Sequence, residues 1–289
     1  MSRSERPARV TALPPASGPS GPNARREPWI PLNGIWALVK KDVFSYFRSW
    51  VGLLVIFAFL LISGIFFTLF VLSYGQLSME AAKEAYAGVG RMSLTGFILG
   101  AFLLNLGVIF LFLAPMLSMR SLAEERRVGT LELLYTYPLS DLEIVLGKYL
   151  SLLVQLLALF LPTLAYAAVL KFLGASLDRG VIFSGSLGFL LLAASFLAIG
   201  LFFSSLTDNQ MLASGLTFAF LMGVWMFEWF ATFLPAGLAA AASAFTPFVH
   251  FRDFSLGVLD LADIVYFLAL IAFFLFLSLR AVETRNWKG

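Results

Sequence analysis

Six long apolar stretches constrain the fold of this chain more than any other feature. Each approaches or exceeds the roughly 20 residues that an α-helix needs to cross about 30 Å of hydrocarbon. They are Trp50–Tyr74, Leu94–Leu117, Ile144–Leu170, Ile182–Leu206, Met211–Phe233 and Leu261–Leu279. The chain is 60% hydrophobic and only 13% charged, which excludes an ordinary soluble domain of 289 residues. The sequence therefore predicts an all-α polytopic membrane protein with six transmembrane helices.

Segments outside these stretches have distinct compositions. Residues 1–28 are rich in Pro, Ser, Gly and Arg, which predicts a disordered cytosolic leader ahead of a transmembrane domain at 29–289. From Ile35 to Trp50, apolar residues recur at helical spacing with charged residues between them, which predicts an interfacial helix. The apolar but Pro-interrupted segment 234–260 is too short to cross twice and predicts a re-entrant or interfacial element.

The distribution of basic residues predicts the orientation. If both termini are cytosolic, fifteen of the 20 Lys and Arg residues fall on the cytosolic side and five on the outer side. Because cytoplasmic segments of membrane proteins carry an excess of Lys and Arg, this asymmetry favours that orientation. It also places the segment from Arg120 to Asp141 in the cytosol.

The segment between the second and third apolar stretches carries a dense group of charges. We expect the second helix to continue to Val128 and to end at Gly129, which tolerates the left-handed conformation. Thr130 is a good N-cap for a short following helix, and Pro138 ends it. Ser140 and Glu143 have the spacing of a capping box. The segment therefore predicts a stiff cytosolic surface, and its candidate coupling residues are Arg120, Glu124, Glu125, Arg126, Arg127, Gly129, Thr130, Glu132, Pro138 and Ser140.

Residues 123–148, AEERRVGTLELLYTYPLSDLEIVLGK, resemble the signature of type-2 ABC transporter permeases, closest to the branches associated with gliding motility and nitrous-oxide reductase. The run Pro247–Arg280 is also similar to that branch, and the likeness extends over Trp29–Arg280. The resemblance implies an ABC-2 permease subunit of the bacterial inner membrane, in which a cytosolic coupling helix docks on a separate ATPase. It also implies export and pairing with a second copy or a sibling permease.

The sequence independently requires that ATP be hydrolysed by another subunit. A P-loop needs Gly five residues before its Gly-Lys pair and Ser or Thr directly after it. The pair Gly147-Lys148 has Leu142 and Tyr149 at those positions. We therefore expect ATP and Mg²⁺ on the partner and no cofactor on this chain.

The composition excludes two other kinds of site. A chain without Cys and with one His has no thiolate or multi-His metal centre. Its small net charge of +3 is not that of a nucleic-acid-binding protein.

Single polar residues within the apolar stretches suggest further roles. Glu228 lies in the fifth stretch, where an ionised group must face protein, water or headgroups. There are two interpretations. Glu228 is a candidate pathway or gate residue, or it lies near the outer interface and reaches the headgroups. Asn105 and Gln155 are expected to hydrogen-bond neighbouring helices. His250 is expected to be an ordinary surface residue.

Two other functions fit the composition less well. An intramembrane enzyme needs a nucleophile with a base or a metal pair within the spans, and the sequence shows neither. A non-transporting assembly or scaffold protein remains an alternative, which an associated ATPase would exclude. No side-chain cluster selects a transported substrate.

Overall fold

The computed structural model describes a helical bundle with six helices that are long and apolar enough to cross a membrane. The described residues are 31–84, 96–129, 140–172, 178–231, 233–235, 237–238 and 244–286. The predicted leader at 1–28 lies outside them. Both the all-α class and the number of candidate spans predicted from the sequence are confirmed.

The elements follow the predicted order. Helix α1 (Pro31–Arg48) precedes α2 (Trp50–Glu84), and a π-helical turn (Gly96–Gly100) leads into α3 (Ala101–Ser118), which is followed by the short α4 (Ala123–Val128). Next come α5 (Asp141–Phe160), a 3₁₀ turn (Leu161–Thr163) and α6 (Leu164–Phe172), which together form the third candidate span. Helices α7 (Arg179–Leu206), α8 (Gln210–Ala231), α9 (Pro247–Ser255) and α10 (Leu261–Asn286) complete the described chain.

Proline shapes two of the spans differently. Pro162 lies in the 3₁₀ turn between α5 and α6, where the α-helical hydrogen-bond pattern is interrupted, as expected of a residue without a backbone N–H. Pro115 lies inside α3, and the helix continues past it to Ser118.

Helix α7 lies at the centre of the bundle. It packs against α3, α5, α8, α9 and α10. Its buried residues include Phe189, Leu197 and Leu201, which are fully enclosed. Helices α2, α8 and α10 instead leave most of their apolar surface uncovered, so they form the outer surface that lipid or another subunit would contact.

Helix α1 turns sharply into α2, and a glycine permits this turn. The amide of Ser49 donates to the carbonyl oxygen of Tyr46, which closes the turn. A Cβ atom at Gly52 would lie 2.1 Å from that same oxygen. Because no side chain fits in that space, the close approach of the two helices depends on glycine at this position.

Candidate functional site

The charged segment after α3 is held by hydrogen bonds to a distant helix. The predicted continuous helix through Arg120–Val128 is not observed, because α3 ends at Ser118 and α4 begins at Ala123. The Ser204 Oγ atom at the end of α7 accepts from the backbone amides of Leu122 and Ala123, each at 3.1 Å. These amides therefore bond to α7 rather than to the preceding turn of their own helix, which breaks the helix and caps α4.

Gly129 ends α4 as the sequence predicts. Its φ of 75° lies in the left-handed region that favours glycine, and its amide donates to the carbonyl oxygen of Arg126. The local chemistry of Gly129 was thus sufficient to locate the end of the helix.

Glu125 lies at the centre of a buried ion-pair network. Its Oε1 atom lies 2.9 Å from Lys41 Nζ on α1 and 2.8 Å from Lys148 Nζ on α5. Lys148 also lies 2.7 Å from Asp42 Oδ2, and its side chain is only 2% exposed. Two cations and two anions balance, so the network satisfies charges that would otherwise be costly to bury. It joins α1, α4 and α5 at one end of the bundle.

The protonation state of this region is set by its surroundings. Burial opposes the charged form of Lys41, but the hydrogen bond and charge of Glu125, with the charge of Asp42, outweigh it and raise the pKa of Lys41 above its usual value. Burial raises the pKa of the nearby Tyr46 to about 12, although the charge of Arg120 acts in the opposite direction. Both groups therefore keep their protons at neutral pH.

Arg126 connects α4 to the turn between α7 and α8. Its guanidinium donates to the carbonyl oxygen of Ser205 and lies 3.9 Å from Asp208 Oδ1. The turn is short, and Asn209 Oδ1 accepts from the amide of Met211 at 2.9 Å. Glu125 and Arg126 thus point in different directions but both into the protein.

The remaining side chains of the segment differ in exposure. Arg127 and Val128 are exposed, Val128 at 66%, whereas Arg120 and Glu124 are half-buried. The predicted coupling residues before the next loop therefore divide into three sets: Glu125 and Arg126 hold α4 in place, Arg120 and Glu124 are half-buried, and Arg127 is open to a partner.

Four further predicted residues lie in or beyond the next loop. Thr130, Glu132 and Pro138 lie outside the described residues. The predicted capping box at Ser140 is present, because its Oγ accepts from the Glu143 amide and its own amide donates to Glu143 Oε2 at 2.7 Å. The return into α5 is therefore rigid at its first turn.

Glu228 lies at the end of the bundle opposite α4, where it pairs with a residue that sequence reasoning did not single out. Its Oε1 atom lies 2.9 Å from Arg252 Nη2 on α9. Together with Asn105 on α3, the pair lines a cavity of about 460 Å³ whose other walls are mostly apolar. Asn105 itself donates to Ala101 in its own helix, so the expected bond to a neighbouring helix is wrong.

His250 is not the free surface residue that was expected. Its Nδ1 atom lies 2.6 Å from Asp263 Oδ1 on α10, and its Nε2 atom lies 3.0 Å from the carbonyl oxygen of Ala244. Its ring stacks on Tyr266 with the centroids 4.0 Å apart. His250 therefore fixes α9 against α10.

Sequence reasoning also missed Lys41, Asp42 and Lys148 as parts of the site. The available signal was Lys148 itself. It is a charged residue near the start of an apolar span, and a charge in that position requires a partner of opposite sign. The identity of those partners was not readable, because Asp42 and Glu125 are remote from Lys148 in the sequence.

Replacing Glu125 with Gln should destabilise the protein by about 1–3 kcal/mol, because it removes one of the two carboxylates that compensate the buried Lys148 ammonium, while Asp42 remains. Glu124→Gln is the matched control, since it makes the same change one residue away, at a side chain without an ion pair among the described residues. Thermal and chemical unfolding of the delipidated protein in detergent would measure both. Equal destabilisation by the two substitutions would contradict the assignment of Glu125 as the anchor.

Comparison with known proteins agrees with this architecture. A family model described as ABC-2 family transporter protein matches residues 36–286. A search among curated proteins found no match. The family match begins within α1 and ends at the last residue of α10, so it includes the ion-pair network and all six candidate spans. Because it extends over most of the chain, this protein belongs to the ABC-2 family of transporter proteins and is a membrane-spanning permease.

Proposed function

We propose that this permease is driven by ATP hydrolysis on a separate nucleotide-binding subunit, which docks on the segment 120–141. In this proposal the segment and both chain termini are cytosolic, and the transporter exports its substrate. Two permease chains, identical or sibling, form the translocation path, and the chain belongs to the branch associated with gliding motility and nitrous-oxide reductase.

The anchoring of α4 carries the proposal. A docking surface transmits force only if it is stiffly connected to the elements that must move. Here α4 is connected to α1 through Lys41, to α5 through Lys148 and to α7 through Ser204. A partner that displaces the outward face of α4 would therefore move three other helices with it, whereas a loop without these bonds would absorb the displacement.

The surroundings of Lys148 support hydrolysis in another subunit. A P-loop lysine reaches the phosphates of the nucleotide from the start of a helix. Lys148 instead lies in the second turn of α5, nearly fully buried, with Asp42 and Glu125 against its ammonium. Its ammonium is already neutralised by two carboxylates, so it is not available to nucleotide phosphates.

The outer surface of the bundle supports pairing with a second permease chain. Helices α2, α8 and α10 present large exposed apolar side chains, among them Phe57, Phe227 and Phe273.

The Glu228–Arg252 ion pair lies at the end of the bundle opposite the docking segment. In this proposal it acts as a gate, which opens when α8 and α9 separate and the ion pair breaks. The direction of transport rests on the resemblance of residues 123–148 to exporting permeases.

Purification of the full chain from its native membrane should recover a nucleotide-binding protein that hydrolyses ATP. The double substitution Arg127→Glu with Val128→Asp should reduce its recovery at least about tenfold, because both side chains are exposed on the docking face and neither holds α4 in place. Lys40→Glu, which reverses an exposed charge on α1, is the control and should retain the ATPase. Recovery of equal ATPase with both variants would refute docking at this face.

Cysteine labelling tests the orientation cleanly, because the chain contains no native Cys. In intact cells a membrane-impermeant maleimide should label Arg179→Cys, at the start of α7, and should label Arg127→Cys only after permeabilisation. Both positions are exposed. The reverse pattern would place the docking segment outside and would exclude a cytosolic ATPase at this surface.

A further inference from the structure

A second cavity lies beneath α1, at the same end of the bundle as α4. It has a volume of about 390 Å³ and is lined by α1, the first turns of α2, the end of α3, α4 and the middle of α5. Unlike the cavity at Glu228, it is rich in polar side chains. Its position at the end of three candidate spans puts it at the level where lipid headgroups lie.

Four buried polar atoms around this cavity have no hydrogen-bond partner among the described residues. They are the Tyr46 hydroxyl, Arg120 Nε, the Ser121 hydroxyl and Gln155 Oε1. Gln155 is only 6% exposed, and its oxygen does not reach a neighbouring helix as the sequence predicted. Buried polar groups in native proteins are nearly always satisfied, and leaving one unsatisfied costs about 1–3 kcal/mol. The four residues that carry these atoms all line the cavity, so its wall holds polar groups that other described residues leave unsatisfied.

The charges that line the cavity indicate the chemistry of an occupant. Lys41, Asp42, Glu125 and Lys148 neutralise one another in the network described above. Arg120 and Glu124 also line the cavity and form no ion pair within the described part of the chain. They are four residues apart and of opposite sign. A ligand that carries both a negative and a positive group would satisfy them together.

The apolar part of the lining accounts for the rest of the ligand. Val51 and Val55 on α2 face Met116 and Leu117 on α3 across the cavity wall. Val51 and Met116 are also partly exposed on the surface of two candidate spans. Acyl chains can therefore continue from the cavity along the groove between α2 and α3 into the bilayer.

We propose that this cavity binds the headgroup of a phospholipid with a primary amine, of the phosphatidylethanolamine type, taken from the leaflet on the α1 side. The phosphate lies against Arg120, beside Tyr46 and Ser121 in the cavity wall. The amine lies against Glu124. The site does not depend on the docking of an ATPase, and its occupant joins α1 to α4 beside the ion-pair network.

The proposal is tested by adding lipids to the delipidated full chain in detergent and measuring its melting temperature. Phosphatidylethanolamine should stabilise the wild type at lower concentration than phosphatidylglycerol does. In Arg120→Gln the half-maximal concentration should rise at least about tenfold, because a charge-assisted contact to phosphate is lost. Arg127→Gln is the matched control, since it removes an exposed arginine from the same segment that does not line the cavity.

Glu124→Gln gives a second and sharper expectation. It should abolish the preference for phosphatidylethanolamine over phosphatidylglycerol while phosphatidylglycerol still binds, because only the contact to the amine is lost. Inorganic phosphate and glycerophosphoethanolamine, which lack acyl chains, should stabilise the wild type far less. Native mass spectrometry of the same samples counts bound lipid directly, so a variant with a low melting temperature still gives an answer.

Several outcomes would overturn the proposal. The wild type could bind the two lipids equally, which would remove the role of Glu124. Arg120→Gln could behave as Arg127→Gln does, which would remove the role of Arg120. A shift reproduced by inorganic phosphate alone would show an adventitious ion rather than a lipid.

Discussion

The buried ammonium of Lys148 is the constraint on which this end of the molecule depends. A cation that is 2% exposed at the start of a membrane span requires compensation, and it receives two carboxylates, Asp42 from α1 and Glu125 from α4. Helix α1 also packs Leu38 and Val39 into the bundle against α5, and α4 is also held by Ser204 and Ser205 of α7. The charge of Lys148 adds to these contacts by joining α1 and α4 to the same point on α5.

This arrangement explains why a dense group of charges can be both structural and available to a partner. Glu125 and Arg126 face inward, toward Lys148 and toward the α7–α8 turn. Glu124 and Arg127 are left for other contacts, one beside the polar cavity and one on the exposed face. Adjacent residues of one short helix thus serve three different surfaces, because successive side chains on a helix point about 100° apart.

The sequence was sufficient for features that local chemistry determines. The six spans follow from hydropathy, the end of α4 from Gly129, and the start of α5 from the capping box at Ser140. Features that depend on remote residues were not predictable. The break before α4 requires Ser204. Of the two partners of Lys148, Asp42 lies 106 positions away in α1, and Glu125 lies in a separate short helix. Apolar periodicity places helices in a membrane but does not say which polar side chains meet, so the ion-pair network and the unsatisfied atoms near Gln155 appear only in the structure.

Hydrogen exchange of the purified chain carrying Lys148→Met tests the central claim most directly. Methionine retains the apolar stem but removes the charge that holds Asp42 and Glu125. The account predicts that backbone amides of α1 and α4 exchange at least about tenfold faster than in the wild type, while those of α8 and α10 are unchanged. Wild-type exchange rates in α1 and α4 would contradict it, because those helices would then be held by something other than Lys148.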